Sequence, residues 1–525
     1  MKNILNIFKL IVLSSLLFIG CEEHLKVDTY NDITGGSFWQ TSGDAQSYVY
    51  GIQADVASTY LGGSGYFDYV DGRTDMLRPG GLGPRLTIPV TLHTQTATLG
   101  GGNWRGFYET IHHCNLFLQE IEGIEFEDAA KKTELIATIQ FLRAFTYFDL
   151  VRFYGDVPLV LEPTAGKPDL VAYYSRAPKE DVLALIKSDV DAAIAGMPDG
   201  IADKNFVSKI AAYALKAEVY MWTGKAYTAR GAAVTADINT AIAAIDAIEA
   251  SGTVSFNTGP WASTFTRQAN DSPEYIWAHY FDYIVGPLTR NAHWYITIRI
   301  DNVPDTMQNT FPIAYTDEGL NRIEIGNTMN NVFKELQTVN PHVDPFNQYD
   351  QVTMDDYRDL RYNATMLDIY GDGSLNTAFK FPGIGVDADN RRYWDNDMPM
   401  YRWTDMLLLK AEAMNTLGGS TAEIVAILDM TRARGDIAPY AGATDQATLE
   451  DEIIKERMRE LCAENKHYWD LIRAHKVAQY VDRFMTNRGD DSTDPNVWNF
   501  YYWPLAESVL IQNDKLTQSP GYTVK

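Results

Sequence analysis

The side chains most suited to holding a sugar lie in an irregular stretch near the N-terminus, residues 61–102. This stretch is rich in glycine and lacks helical periodicity, which is typical of a long functional loop. Tyr66 and Tyr69 stand near Asp75 and Arg78 in it. Sugar C–H groups pack on aromatic faces, whereas sugar hydroxyls require paired donors and acceptors. We therefore take these four residues as candidate ligand-binding residues; the alternative is that the two rings are buried in the core.

Two acidic motifs resemble cation sites, but both are incomplete. Residues 368–376 (DIYGDGSLN) carry part of a calcium-binding loop, yet Tyr370 occupies a ligand position and no glutamate follows at the loop's end. We predict a hairpin turn there. Residues 489–496 (GDDSTDPN) are more typical of a solvated acidic loop. The cysteines show no zinc spacing, so the sequence predicts no metal site and no cofactor, and a structural Ca²⁺ lacks support.

No complete catalytic motif is present in the sequence. Asp395 and Asp397 match the carboxylate pair of a glycosidase in residue type, but closeness in sequence does not place two carboxylates on either side of a glycosidic bond. There is neither a nucleophile elbow nor an HExxH motif. We expect no enzymatic activity.

Composition and charge exclude some partners. The chain has 525 residues, of which 46% are hydrophobic and 12% aromatic, enough to bury a large core. Its formal net charge of -25 disfavours nucleic acid and anionic lipid, because both are polyanions. A carbohydrate or a peptide is compatible with this charge, and 31 tyrosines and 11 tryptophans are a plentiful supply of stacking rings.

The first 20 residues are typical of a secretion signal. Lys2 and Lys9 form a basic region, and residues 10–19 (LIVLSSLLFI) are an apolar run too short to span a bilayer. Cys21 follows as in a lipoprotein processing site, where its thiol would be acylated. We expect residues 21–40 to form a lipidated tether; the alternative is a secreted chain with an unmodified cysteine.

The elements that must position the candidate residues are mostly helices. Apolar residues cover most of the helical circumference of residues 133–160, so we expect the other elements to pack around this stretch. Thr133 is its predicted N-cap and Gly155 its stop. Charges within it are too costly to bury unpaired, and we expect them to form a structural lock: Arg143, Asp149, Arg152 and Asp156.

Further helical spacing occurs in residues 41–60, 103–124, 178–198, 205–222, 236–250, 401–415 and 449–480. Small and large residues alternate in several of these segments, as in tetratricopeptide helix pairs, without a strict period. Charges in residues 449–480 are expected to pair with other helices, with Arg143 or Asp149 as possible partners. The sequence predicts a loop-rich insertion over residues 251–400, with short strands at 275–280 and 294–300. In the first of these strands, Trp277 is expected to face the core. Cys114 and Cys462 are expected to be free buried thiols.

Four blocks of the sequence resemble the SusD/RagB family of outer-membrane nutrient-binding lipoproteins. They are residues 143–160 (RAFTYFDLVRFYGDVPLV), 401–415 (YRWTDMLLLKAEAMN), 453–473 (IIKERMRELCAENKHYWDLIR), and the C-terminal residues 502–504 (YWP) with 516–522 (LTQSPGY). They occur in the family's order and extend over most of the chain. Glu22 and Glu23, after Cys21, resemble the surface-export signal of Bacteroidetes lipoproteins.

The resemblance implies a mainly α fold with a single SusD-like domain over residues 41–525. Its scaffold of degenerate tetratricopeptide-type helix pairs would occupy about residues 41–250 and 401–525, with the loop-rich insertion and few short strands at about 251–400. The implied function is a cell-surface lipoprotein, anchored in the outer membrane by Cys21. It would capture oligo- or polysaccharides and deliver them to a SusC-like TonB-dependent transporter.

The resemblance also implies a second set of ligand-binding candidates. Trp104 opens a helix that resembles the family's W-x-x-x-Y-x-x-I pattern, close to the early loop; the alternative for this tryptophan is the core. In the family, ligand specificity lies mainly in loops of the insertion and of the early stretch. Aromatic and polar residues of the insertion are therefore candidate ligand-binding residues. The first of them are Tyr280, Tyr283, His293, Trp294 and Tyr295.

Three other functions stay open. Capture of peptides by a RagB-like uptake lipoprotein is the nearest alternative. A surface glycoside hydrolase would turn its substrate over. A structural adaptor would bind no small ligand.

Overall fold

The fold is mainly α, as predicted. A computed structural model describes residues 38–61, 70–79, 87–164, 174–228, 232–281, 323–325, 327–334, 359–368, 376–378, 380–381, 385–386, 392–393, 396–488 and 500–523. Its α-helices are α1 (Ser42–Leu61), α2 (Thr87–Thr91), α3 (Arg105–Glu120), α4 (Ala129–Tyr154), α5 (Lys179–Gly196), α6 (Lys209–Met221), α7 (Thr235–Ser251), α8 (Asn327–Lys334), α9 (Leu360–Thr365), α10 (Trp403–Thr416), α11 (Thr421–Arg434), α12 (Gln446–Leu461), α13 (His467–Arg473), α14 (Val477–Tyr480), α15 (Asp482–Arg488) and α16 (Glu507–Gln512).

The described strands are short and pair two by two. They are β1 (Leu77–Pro79), β2 (Tyr275–His279), β3 (Ile323–Ile325), β4 (Met366–Asp368), β5 (Asn376–Ala378), β6 (Gly385–Val386), β7 (Arg392–Tyr393) and β8 (Met398–Arg402). The antiparallel pairs are β1 with β3, β2 with β8, β4 with β5 and β6 with β7. Asp368 lies opposite Asn376 in the β4–β5 pair, which confirms the hairpin predicted there.

The helices pack largely in chain order. Each helix from α3 to α7 contacts the next, α7 contacts α10, and α10 packs on α11 and α12. This succession of neighbouring helix pairs is what the tetratricopeptide-like spacing predicts. Among the residues that the structure describes, every helix is either too short or too polar to cross a bilayer.

Helix α4 is central, but it begins earlier than predicted. Asp128 is its N-cap and accepts a hydrogen bond from the amide of Ala130 at 2.8 Å, whereas Thr133 lies inside the helix and donates to the carbonyl of Ala129. Alanine and lysine favour helix, so the first turn extends back to the stronger aspartate cap. Gly155 ends the helix as predicted, at φ 72°, and a Cβ there would lie 2.9 Å from the ring of Tyr502.

The charges of α4 lie between helices, and two of them have partners other than the predicted ones. Arg143 binds both carboxylate oxygens of Asp189 on α5 at 2.8 Å, and Asp149 pairs with Arg152 of the same helix. Neither contact involves residues 449–480, because α5 and the next turn of α4 are nearer. Asp156 accepts a hydrogen bond from the first amide of α5, at Lys179. The structural role expected of these charges is confirmed.

The largest group of buried charges surrounds Glu460 on α12. Its carboxylate accepts hydrogen bonds from Arg361 at 3.0 Å, Arg402 at 2.8 Å and Arg434 at 2.7 Å, which belong to α9, β8 and α11. All four side chains are at most 1% exposed. Burial acts to raise the pKa of Glu460, but the three guanidinium groups prevail and hold it well below its usual range. One carboxylate therefore joins four elements.

A second carboxylate extends this group to the start of the insertion. Glu274 precedes β2, pairs with Arg434, binds Arg402 at 3.2 Å and accepts a hydrogen bond from Thr404 at 2.7 Å. The start of β2 and the end of β8, which are adjacent in this antiparallel pair, are thus tied to the same buried charges. The predicted pairing of the late charges with other helices is confirmed, and Trp277 on β2 is buried between Phe141 and Phe145 as expected.

The cysteines and the C-terminal segment also match expectation. Cys114 and Cys462 are free and buried. Tyr501, Tyr502, Trp503 and Leu505 pack against the scaffold, and the amide of Trp503 donates to the carbonyl of Phe153 at 2.7 Å. The short helix α16 within this segment was not predicted from its sequence.

Removing Glu460 leaves three buried guanidinium groups without their shared acceptor. Breaking a buried ion pair on one side costs about 3–5 kcal/mol, so Glu460→Ala is expected to lower the free energy of unfolding by at least that much in a denaturant titration. The matched control is Glu109→Ala, which removes an exposed pair with Arg105 and is expected to change stability by about 0.5 kcal/mol. Equal losses in the two variants would contradict the role given to Glu460.

Candidate functional site

The candidate residues divide between described and undescribed parts of the chain. Cys21, Tyr66, Tyr69, Tyr283, His293, Trp294 and Tyr295 lie outside the residues that the structure describes. Asp75, Arg78, Trp104 and Tyr280 lie within them.

The two stretches proposed to bind ligand meet in the β1–β3 pair. β1 belongs to the early stretch and β3 to the insertion, and Arg78 lies opposite Glu324 in their antiparallel register. The side chain of Arg78 is partly exposed. Segments that are more than 200 residues apart in the sequence are therefore adjacent in the fold.

Asp75 lies beside this pair, and its carboxylate is already engaged. One oxygen accepts a hydrogen bond from Nε of Arg483 at 2.5 Å, and the other accepts from the amide of Asp482 at 2.6 Å. Arg483 also donates to the carbonyls of Thr74 and Leu77. These contacts give Asp75 a positioning role, holding β1 on α15. Its direct contact with a ligand stays a prediction.

Two other polar residues of the early stretch are buried. Asp71 accepts hydrogen bonds from the amides of Asn465 at 2.9 Å and His467 at 3.1 Å, and burial raises its pKa to about 7. Arg73 donates to the carbonyls of Phe500 and Tyr501, each at 2.7 Å, and lies over the ring of Tyr468. Both fix the early stretch to the C-terminal part of the scaffold.

Trp104 lies in the core. It is 3% exposed and meets Tyr108 and Tyr154 edge to face, with ring centroids 5.5 Å and 5.3 Å away. The guanidinium of Arg176 lies 5.6 Å above its ring. This placement favours the core alternative, and contact of Trp104 with ligand stays a prediction.

Tyr280 is the candidate ring that the structure places at the surface. It follows β2 and is 41% exposed. Its neighbour Phe281 donates its amide to Asp397 at 3.0 Å, and the same carboxylate accepts from the amide of Ala269 at 2.7 Å and from the side chain of Asn205 at 3.0 Å. Tyr280 is therefore presented from a fixed backbone. Asp397, considered above as half of a glycosidase pair, has both oxygens committed to these contacts.

Two polar grooves elsewhere on the described surface offer no aromatic face. The larger, about 630 Å³, lies beside the ends of α10 and α12 and has no phenylalanine, tyrosine or tryptophan among its lining residues. The smaller, about 360 Å³, lies between α1 and α3, and its only such ring among those residues, Tyr108, is 5% exposed. Stacking on a sugar is therefore better served by the surface around Tyr280.

Comparison with known proteins identifies the family. Residues 379–522 match the model of the SusD family, and residues 92–221 match that described as starch-binding and associating with the outer membrane. SusD-like protein P38 of Formosa agariphila is 26% identical over 99% of both chains. The chain belongs to the SusD/RagB family. The four blocks that carry the resemblance lie within the matched residues.

Solved structures share the SusD fold with this chain. NanU of B. fragilis superposes with a TM-score of 0.72 at 24% identity, covering 95% of this chain and 100% of that one. A laminarin-binding SusD-like protein superposes with a TM-score of 0.72 at 20% identity, covering 92% of this chain and 100% of that one. At such identity these similarities describe the fold of this SusD-like chain.

The contact between Asp75 and Arg483 can be tested as a positioning contact. Each alanine variant is expected to lower the free energy of unfolding by about 1–3 kcal/mol, because the pair is largely buried. The double variant is expected to lose no more than Arg483→Ala alone, since the two side chains act together. Urea denaturation of the four proteins measures this coupling.

A control cycle combines Asp75→Ala with Arg105→Ala, which removes an exposed pair with Glu109 that includes neither Asp75 nor Arg483. Its two effects should add. If the losses at Asp75 and Arg483 also add, the two residues are independent and Asp75 has no positioning role.

Proposed function

We propose that this SusD-like protein captures glycans at the outer face of the outer membrane, without cleaving them. The observation that carries the proposal is the exposed ring of Tyr280, held at the base of the insertion by the contacts of Asp397. A ring on a fixed backbone can stack on a pyranose without first ordering the chain that carries it. The laminarin-binding relative of the same fold supports a glycan as the ligand class.

Charge narrows the class of glycan. At a formal net charge of -25, the protein repels polyanions over the distance of a Debye length. Neutral polysaccharides avoid this repulsion, and their hydroxyls suit donors and acceptors such as those of Arg78. We therefore favour a neutral glycan over a sulfated or uronic acid polymer.

Delivery and anchoring complete the proposal. We infer acylation at Cys21, which keeps the binding face near the membrane, and transfer of the glycan to a SusC-like TonB-dependent transporter. Family membership and the description of the matching family, which associates with the outer membrane, support this arrangement. An anchored binding protein raises the local concentration of ligand at the transporter through effective concentration, without a chemical step.

Peptide capture is the nearest alternative, and hydrolysis is the next. A peptide ligand would also use exposed rings, so the two binding functions must be separated by titration. Hydrolysis requires two carboxylates free to act on either side of the glycosidic bond, and Asp397 is committed to backbone and amide donors.

Glycan binding can be tested by isothermal titration with laminarin, amylopectin, xylan and galactomannan, beside a mixture of oligopeptides. We expect heat with at least one polysaccharide and none with the peptides. Tyr280→Ala is expected to weaken that affinity by about 3-fold to 10-fold, because a stacked ring contributes about 0.5–1.5 kcal/mol. Tyr174→Ala is the matched control, since Tyr174 is also exposed but lies on a different segment.

Binding of the peptides alone would reverse the order of the two functions. Release of oligosaccharides during incubation would show an enzyme instead.

Acylation can be tested by labelling cells with a palmitate analogue. We expect label on the wild-type protein and on Cys114→Ala, because Cys114 is buried, with its pKa raised by burial. Cys21→Ala is expected to lose both the label and the sedimentation with outer membranes. A Cys21→Ala protein that stays labelled and membrane-bound would rule out this anchor.

A further inference from the structure

Two further aromatic rings are exposed near Tyr280. Tyr50 on α1 is 45% exposed and Phe206, in the turn before α6, is 39% exposed. Their ring centroids lie 5.1 Å apart at an interplanar angle of 45°. Two large rings in contact at the surface leave much apolar area in water, which is typical of a binding surface.

Hydrogen bonds fix the hydroxyl of Tyr50 and the backbone that carries Phe206. The side-chain amide of Gln46, one turn earlier on α1, donates to the hydroxyl of Tyr50 at 2.5 Å. In the turn that carries Phe206, the amide of Phe206 donates a hydrogen bond to the carbonyl of Asp203 at 3.1 Å. The next amide, of Val207, donates to the side chain of Gln53 on α1 at 3.3 Å. The pair is therefore pre-organised, which reduces the entropy lost on binding.

The same turn is joined to the segment that carries Tyr280. The carbonyl of Lys204 accepts the amide of Ala278 at 2.9 Å. Asn205 and Phe281 both donate to Asp397, at 3.0 Å each. Phe206 directly follows Asn205, and Tyr280 directly precedes Phe281. Both rings are thus one residue away from a residue that is hydrogen-bonded to Asp397. The backbone segments that carry Phe206 and Tyr280 are therefore close to each other.

The surroundings of the pair suit a sugar better than a protein surface. The neighbours of Tyr50 on the same face of α1, three and four residues away, are Gln46, Ser47, Gln53 and Ala54. Leucine, isoleucine, valine and methionine are absent from these four positions, where Ala54 is the one aliphatic side chain. Rings beside amide and hydroxyl groups match the apolar faces and polar edges of a pyranose.

We propose that Tyr50 and Phe206 form a stacking site for pyranose rings that continues the glycan-binding surface from Tyr280. This proposal rests on the proposed function and extends it to residues outside the early stretch and the insertion. The site binds consecutive sugar units of a polysaccharide, so it contributes more to the affinity for a long chain than for a disaccharide.

The test compares ring removal with ring retention. Tyr50→Ala and Phe206→Ala are each expected to weaken binding of the polysaccharide by about 3-fold, and the double variant by about 10-fold, as followed by affinity electrophoresis in gels containing laminarin, amylopectin, xylan or galactomannan. Tyr50→Phe and Phe206→Tyr keep the rings and are expected to bind as the wild type does. Thermal unfolding should be unchanged in all four single variants, because both rings are exposed.

The outcomes separate this proposal from the proposed function. Wild-type protein that binds none of the polysaccharides overturns both. Wild-type binding that is unchanged in the double alanine variant overturns only the stacking site. Equal losses in Tyr50→Ala and Tyr50→Phe would assign the effect to the hydroxyl and overturn stacking at Tyr50. A double variant that binds glycan normally but no longer self-associates would show that the pair is an interface between copies of the chain.

Discussion

The fold depends on pairing its buried charges. A buried guanidinium or carboxylate without a partner costs several kcal/mol, so each such group constrains the position of another element. Around Glu460 this constraint acts on α9, α11, α12 and β8 together, and Glu274 brings in the start of β2. Hydrophobic packing alone would tolerate small shifts among these helices, whereas hydrogen bonds of 2.7–3.0 Å between charges do not.

This rigidity has a consequence for binding. Within the insertion, the segment between β2 and β8 begins and ends at strands that are tied to the same buried charges. The backbone beside Tyr280 is fixed again by Asp397. The backbone that carries Tyr280 therefore needs little reorganisation, and in the proposed function this lowers the cost of binding a weakly interacting sugar.

Most of the candidate binding residues lie outside the residues that the family models match. The family models match residues 92–221 and 379–522, which contain Trp104 and Phe206 and most of the buried charges. Tyr66, Tyr69, Asp75, Arg78, Tyr280 and the candidates after it lie outside those matches. In the segment between β2 and β8, a change of sequence away from the buried pairs leaves those pairs in place.

The sequence by itself determined the helical scaffold, the Gly155 stop, the hairpin after Asp368 and the burial of Trp277, because these follow from local spacing and from turn chemistry. It could not determine pairing partners. Asp75 and Arg483 are more than 400 residues apart, and only the tertiary structure brings them together. Asp71 and Arg73 are also polar residues of a type that suits a sugar. For the same reason the sequence could not show that they are buried and bind the C-terminal part of the scaffold. Tyr50 and Phe206 showed the opposite: their helical and turn contexts gave no sign that both rings would lie exposed side by side, since exposure depends on which elements cover a surface.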